Sequence, residues 1–228
     1  MAERKQGDAT PFVPPNADLA TLRSAAQGCT GCDLYEGATQ TVFGAGPPRA
    51  RVVLVGEQPG DQEDRRGEPF VGPAGLLLDK ALADAGIERA EAYVTNAVKH
   101  FKFTQSAPGK RRIHAKPEAW EVSACRPWLA AELDRLDPQV VVALGATAAQ
   151  SLLGSTFRVS KQRGVLLPWP PPTGPFAREA DLFEDDSAGH DAFVLATLHP
   201  SAVLRSDDRE AAYAGLVADL AVVAKALG

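Results

Sequence analysis

The chain has 228 residues, 45% hydrophobic and 23% charged, which is room for one α/β domain with a sizeable core and short for two. A net charge of -5 excludes a generally cationic surface, so any hold on nucleic acid has to be local. The N-terminus is charged and proline-broken where a signal peptide needs an apolar stretch, no apolar run of about 18 residues occurs, and the cysteines number three. These features lead us to expect a cytoplasmic protein without membrane spans or a disulfide framework.

Residues 1–17 read as a flexible tail, and 18–228 as one domain. Asp18 caps a short helix that ends at Gly28, just before Cys29 and Cys32. RVVLVG (51–56) is a β-branched run ending in glycine, the pattern of a buried parallel strand. AYVTNAV (92–98), VVVALG (140–145) and FVLATLH (193–199) repeat it. Helical patterns fall between them: Pro73 to Gly86, Pro117 to Leu136, and Ala146 to Leu153. A final helix puts Tyr213, Leu216, Val217, Leu220, Val223, Ala224 and Leu227 on one face. The alternation predicts a three-layer α/β/α sandwich around a parallel sheet of about four strands. The stretch 168–190, proline-rich and then acidic, reads as a surface insertion between core strands.

In such folds ligands gather at the carboxyl ends of the strands. That rule selects GEQPGD (56–61), Asn96 to His100, Gly145, and His199-Pro200-Ser201, with the basic loop GKRRIHAKP (109–117) over the same edge. The acids of GEQPGD are otherwise ordinary turn residues, Phe70 and His199 ordinary core, and His114 a solvated loop histidine. Asn96 is harder to explain that way, because a buried amide needs partners. Cys29, Cys32, Cys125 in ACRPWL, and His100 in VKHF make a possible ligand set. The alternatives are a Cys3His zinc site, a [4Fe-4S] cluster with one histidine ligand, or three unrelated thiols.

GEQPG, EDRRGEPFVGPAG, TNAVKHFKF, KRRIH, ACRPWL and HPS occur in an order that resembles the iron–sulfur, family 4-like members of the uracil-DNA glycosylase superfamily, over about residues 18–227. KRRIH with GEQPG is similar to the UdgX branch, whose members bind uracil-containing DNA covalently. Two positions depart from the usual iron–sulfur pattern: His100 stands where a third cysteine is common, and Gln58 where many relatives have alanine.

The resemblance implies a DNA-repair enzyme that takes uracil from DNA, single strands preferred, releases free uracil and works as a monomer. It implies a cluster on Cys29, Cys32, His100 and Cys125, where imidazole in place of thiolate raises the potential. A uracil pocket is expected from Gly56, Gln58, Pro59, Gly60, Asp61, Phe70, Asn96 and His199. There Phe70 stacks, Asn96 reads N3–H and O4, and His199 and loop amides stabilise O2. Lys110, Arg111, Arg112, Lys116, Ser201 and Arg205, with Lys102, are expected on phosphates. His114, kept neutral by neighbouring cations, would bond to the sugar C1′, with Glu57 holding its far ring N–H. The competing expectations are a multiple-turnover glycosylase using water, a non-enzymatic DNA-binding module with a structural metal, and a mononucleotide-binding protein. GEQPG lacks the phosphate-loop spacing the last would need.

Overall fold

The computed structural model describes residues 7–107, 109–177 and 192–228. The strands are β1 (Val52–Gly56), β2 (Ala92–Asn96), β3 (Phe103–Thr104), β4 (Ile113–His114), β5 (Val140–Leu144), β6 (Leu166–Trp169) and β7 (Ala192–Thr197). The helices are α1 (Leu19–Ala26), α2 (Asp61–Arg66), α3 (Pro73–Asp84), α4 (Ala119–Leu136), α5 (Gly145–Leu153), α6 (Val159–Gln162), α7 (Pro200–Leu204) and α8 (Arg209–Leu227). None of them is long and apolar enough to cross a membrane.

The sheet runs β2-β1-β5-β7-β6. Its first four strands are parallel and are the four predicted ones; β6 is a fifth, antiparallel to β7. The expected four strands miss β6 because it begins the proline-rich stretch: Pro168 and Trp169, read as insertion, pair with Phe193 and Ala192. A proline fits there because β6 is the outer strand. Residues 178–191 of that stretch, including His190, lie outside the described residues.

Alternation along each strand builds the layers. Val53, Val55, Val141, Ala143 and Val194 pack with Leu129, Leu133, Ala148 and Leu152 of α4 and α5. Val52, Leu54, Val94, Val142 and Leu195 face Leu78 and Leu82 of α3 and Leu216, Leu220 and Val223 of α8. Helices thus cover both faces of a mostly parallel sheet, as the element order predicts. A third cluster joins α1 to α4 through Leu22, Ala26, Phe43, Trp128 and the three cysteines. Ala9 belongs to it, buried, with its N–H on Ala124 O at 2.8 Å. The expected tail over 1–17 is therefore corrected for this part: the segment adds an apolar side chain and a backbone hydrogen bond to α4.

One buried ion pair ties these layers to the end of β2. Lys99 and Glu132 have 1% and 0% side-chain exposure. Glu132 accepts from Tyr93 Oη (2.8 Å), Thr95 Oγ1, Gly44 N and Lys99 Nζ, which meets every acceptor site of a buried carboxylate. Lys99 Nζ also donates to Asn96 O at 2.8 Å.

Candidate active site

Where the parallel strands end, a cavity of about 720 Å³ opens, lined among others by Glu57, Gln58, Phe70, Asn96, His114 and His199. These six residues come from five separate segments of the chain. Gly56 makes this possible: a Cβ on it would fall 2.3 Å from Asn96 Oδ1 and 2.8 Å from Phe70 Cζ. Phe70 has φ 57°, a left-handed conformation that costs a non-glycine residue free energy. It is held by Glu63, which accepts from Gly60 N (3.1 Å) and Gly72 N (2.8 Å), tying the two loops together. The sequence reading passed over Glu63. Its signal was a glutamate three residues after the glycine that starts α2, the spacing of a capping carboxylate. Because Gly60 N–H is engaged by Glu63, it is not one of the loop amides expected to assist at O2.

His199 lines the same cavity as Asn96 and caps the N-terminus of α7. Its Nδ1 accepts from Ser201 N at 3.1 Å and contacts Ser201 Oγ at 2.8 Å. Two donors on Nδ1 assign the neutral ring its proton on Nε2. Burial, helped by Arg205 and His114, pushes its pKa down to about 4, so the ring is a neutral N–H donor near neutral pH. Ser201 was expected on a phosphate; instead its hydroxyl orients His199. Gly145, at φ +84°, lets the start of α5 approach this histidine, since a Cβ there would meet His199 Cβ at 2.9 Å.

His114 lines the cavity from β4 of the β3–β4 hairpin. Its side chain is 49% exposed and its Nε2 is 2.9 Å from Gln58 Nε2. Gln58 is pinned between the hairpin's flanks: Oε1 accepts from Lys102 N (3.0 Å), and Nε2 donates to Lys102 O (3.1 Å) and Ala115 O (3.0 Å). Both amide protons of Gln58 are thus engaged by carbonyls, and Nε2 of His114 lies against the nitrogen side of this amide, which offers the ring no acceptor. Glu57 Oε1 lies 3.7 Å from this same Nε2, beyond hydrogen-bond reach. The expected hydrogen bond between a ring N–H and Glu57 is thus not made: the carboxylate sits beside Nε2 at 3.7 Å. The other Glu57 oxygen accepts from the Thr147 hydroxyl. The pKa of His114 is lowered, as expected, but chiefly by burial; Glu57 opposes this and Arg205 adds to it.

Further expectations are corrected. Arg112 does not project to solvent for a phosphate: its side chain is 10% exposed and pairs with Asp61 and, at 2.6 Å, with Asp64. Its guanidinium stands 5.3 and 4.9 Å from the ring centres of Phe101 and Phe103, a cation–π arrangement. Asp61 is consequently on Arg112 and Arg65 and does not line the cavity. Pro59 is buried and does not line it either. Lys102 pairs with Glu121 at 2.8 Å. Lys110 and Arg111 are exposed in the hairpin, while Lys116 and Arg205 line the cavity mouth.

Away from the cavity, Cys29, Cys32, His100 and Cys125 are all buried, the cysteines as free thiols. Among the described residues no three His, Cys, Asp or Glu side chains meet in metal-ligand geometry. The chemistry of the set nevertheless fits a metal centre. Trp128 Nε1–H and Lys99 N–H donate to Cys29 and Cys125 Sγ, 3.2 Å each, as to thiolates. Burial pushes Cys32 up to about 11 and Cys125 to about 12, with the other cysteines adding to both, so a bound cation is what would hold these thiols ionised. Thr41 gives its proton to Ala26 O (2.8 Å), so in its 2.9 Å contact with His100 the ring Nε2 donates. That leaves Nδ1 of His100 with a free lone pair, the state of a ligating imidazole.

A mostly parallel sheet with a cavity at its strand ends, lined by an amide and a neutral histidine among others, is the arrangement of an α/β protein that binds a polar ligand there. The family model for the uracil DNA glycosylase superfamily matches residues 43–221, and the chain belongs to that superfamily. Similar proteins include the "Type-4 uracil-DNA glycosylase" of Thermotoga maritima, 36% identical over 80% of this chain and 81% of its own. That of Archaeoglobus fulgidus is 36% identical over 77% and 78%. The "Type-5 uracil-DNA glycosylase" of Pyrobaculum aerophilum is 37% identical over 53% and 57%.

Proposed function

We propose that the chain excises uracil from DNA and that His114 then captures the sugar, as in the UdgX branch. The extruded nucleotide enters the cavity, with Phe70 against the base. Asn96 accepts from uracil N3–H and donates to O4, a pattern cytosine reverses. The C1′–N1 bond breaks with its electron pair going to uracil; His199 Nε2–H donates to O2 and stabilises that anion, which leaves as free uracil after protonation. The cationic sugar carbon then takes the Nε2 lone pair of His114. Glu57, beside that nitrogen, stabilises the positive charge as the N–C1′ bond forms. Loss of the Nδ1 proton leaves a neutral N-alkylimidazole, a far worse leaving group than the carboxylate of a retaining glycosidase, so the cycle stops there. Lys110, Arg111, Lys116 and Arg205 are assigned to phosphates, single strands being preferred because no pairing has to be broken.

The observation that supports the capture is a half-exposed His114 lining the base cavity, its Nε2 2.9 Å from Gln58 Nε2 and 3.7 Å from Glu57 Oε1. The test is a denaturing gel of protein mixed with uracil-containing single-stranded DNA. A slow adduct band is expected with wild type and none with His114→Ala; an undiminished band in the variant refutes the assignment. The type-4 identity of the similar proteins favours a second reading, turnover with water oriented by Glu57, which release of uracil in molar excess over protein would establish.

Cys29, Cys32, His100 and Cys125 are assigned to a cluster, and the resemblance to iron–sulfur members favours [4Fe-4S] over zinc. When bound, it would pin the loop after α1 to α4 and to the root of the hairpin.

A further inference from the structure

We infer that Thr147 is a positioning residue for Glu57: it holds one carboxylate oxygen so that the other faces the reacting nitrogen of His114. The inference rests on the role proposed for Glu57 beside that histidine. Thr147 is in the first turn of α5 and buried at 7% exposure, where a hydroxyl must find a partner. Its Oγ1 donates to Glu57 Oε2, leaving Oε1 as the atom 3.7 Å from His114 Nε2.

Glu57 needs such a hold. Its side chain is 23% exposed in a half-open cavity, and a glutamate free to rotate would spread over several rotamers, most of them directing the charge elsewhere. A carboxylate oriented beforehand costs nothing to reorganise when positive charge appears at C1′ and His114. The same turn of α5 begins at Gly145, packed against His199, so one element touches both Glu57 and His199.

The test is the rate of adduct formation with Thr147→Val, which keeps the shape and removes the O–H, and with Thr147→Ser, which keeps the O–H. We expect capture to slow about tenfold in the valine variant, with affinity for uracil-containing DNA within about twofold of wild type, and serine to restore most of the rate. Valine at the wild-type rate, or serine no better than valine, overturns the inference. In a Glu57→Gln background Thr147→Val should add almost nothing; a further tenfold loss there means the threonine acts by another route and also overturns it. Should wild type release uracil without any adduct, the capture reading fails on its own. The same comparison read on uracil release then decides Thr147, because Glu57 is there the group that orients water.

Discussion

Asn96 and His114 face the same cavity from differently supported parts of the molecule. Asn96 ends a strand buried along its whole length, and its carbonyl rests on Lys99, which rests on a Glu132 bonded to three further donors. His114 ends a two-residue strand whose own residues are exposed, and its hairpin is fastened by Arg112 and Gln58. The difference follows the chemistry asked of each. Telling uracil from cytosine requires an amide that cannot rotate to suit either base, whereas a residue that bonds to the sugar must admit a nucleotide before closing on it. On the proposed function, base reading would thus rest on the core and capture on the hairpin.

Breaking the core side should cost the most. Glu132→Ala leaves Lys99 buried without its carboxylate and strands Tyr93 Oη and Gly44 N, a loss of about 3–5 kcal/mol. Thermal unfolding should fall by roughly 10 °C, and uracil selectivity in the surviving fraction should fall with it. A variant of unchanged stability would mean the pair does not hold β2 in place.

Arg112→Ala is the matching cut on the hairpin side. Asp64, fully buried, keeps the Thr39 N–H (2.9 Å) but loses its cation, so stability should drop by about 1–3 kcal/mol, less than for Glu132. The larger effect should be on capture, slowed at least about tenfold as the hairpin loosens, with base affinity little changed. The comparison is measured by adduct rate against DNA affinity. If both fall together, core and hairpin are not separable.

How much of this was legible in sequence divides along the same line. The four parallel strands stood out because each is a β-branched apolar run, and the cavity edge followed from where those runs stop. Asn96 and His199 were found by that rule, and Phe70 through the family resemblance. The fastenings were not, because they join residues far apart in the chain: Arg112 to Asp64, 48 positions away, and Thr147 to Glu57, 90 away. An arginine between basic neighbours looks like a phosphate ligand until its partner is placed in space. Ser201 misled in the same way, its hydroxyl serving the histidine two residues before it. Pro168 concealed β6, since a proline argues against a strand except at an edge, and sequence does not say which strand lies at the edge.

The smallest effect separates the two histidines by pH. His199, held down to about 4 by burial, remains a neutral donor across the working range. Its unfolded value is near 6.5, so below that the unfolded state binds the proton first; stability declines as pH falls from about 6.5 toward 4 and rises again on returning to neutral. The decline belongs to stability, not to the chemistry. On the proposed capture, His114 is the group whose protonation removes the reacting lone pair, and its pKa too lies below the ordinary value because of burial. The second-order capture rate, which reports the free protein, should be flat above pH 7 and fall on acidification. At pH 5.5 an unperturbed histidine would keep about a tenth of its neutral form, so a lowered one should keep more, and the rate should drop by less than tenfold. DNA affinity should hardly move over that interval if the core side is rigid. A capture rate that instead falls between pH 7 and 8, or a base affinity that follows the capture rate down, would place the titrating group in the base pocket and not on the hairpin.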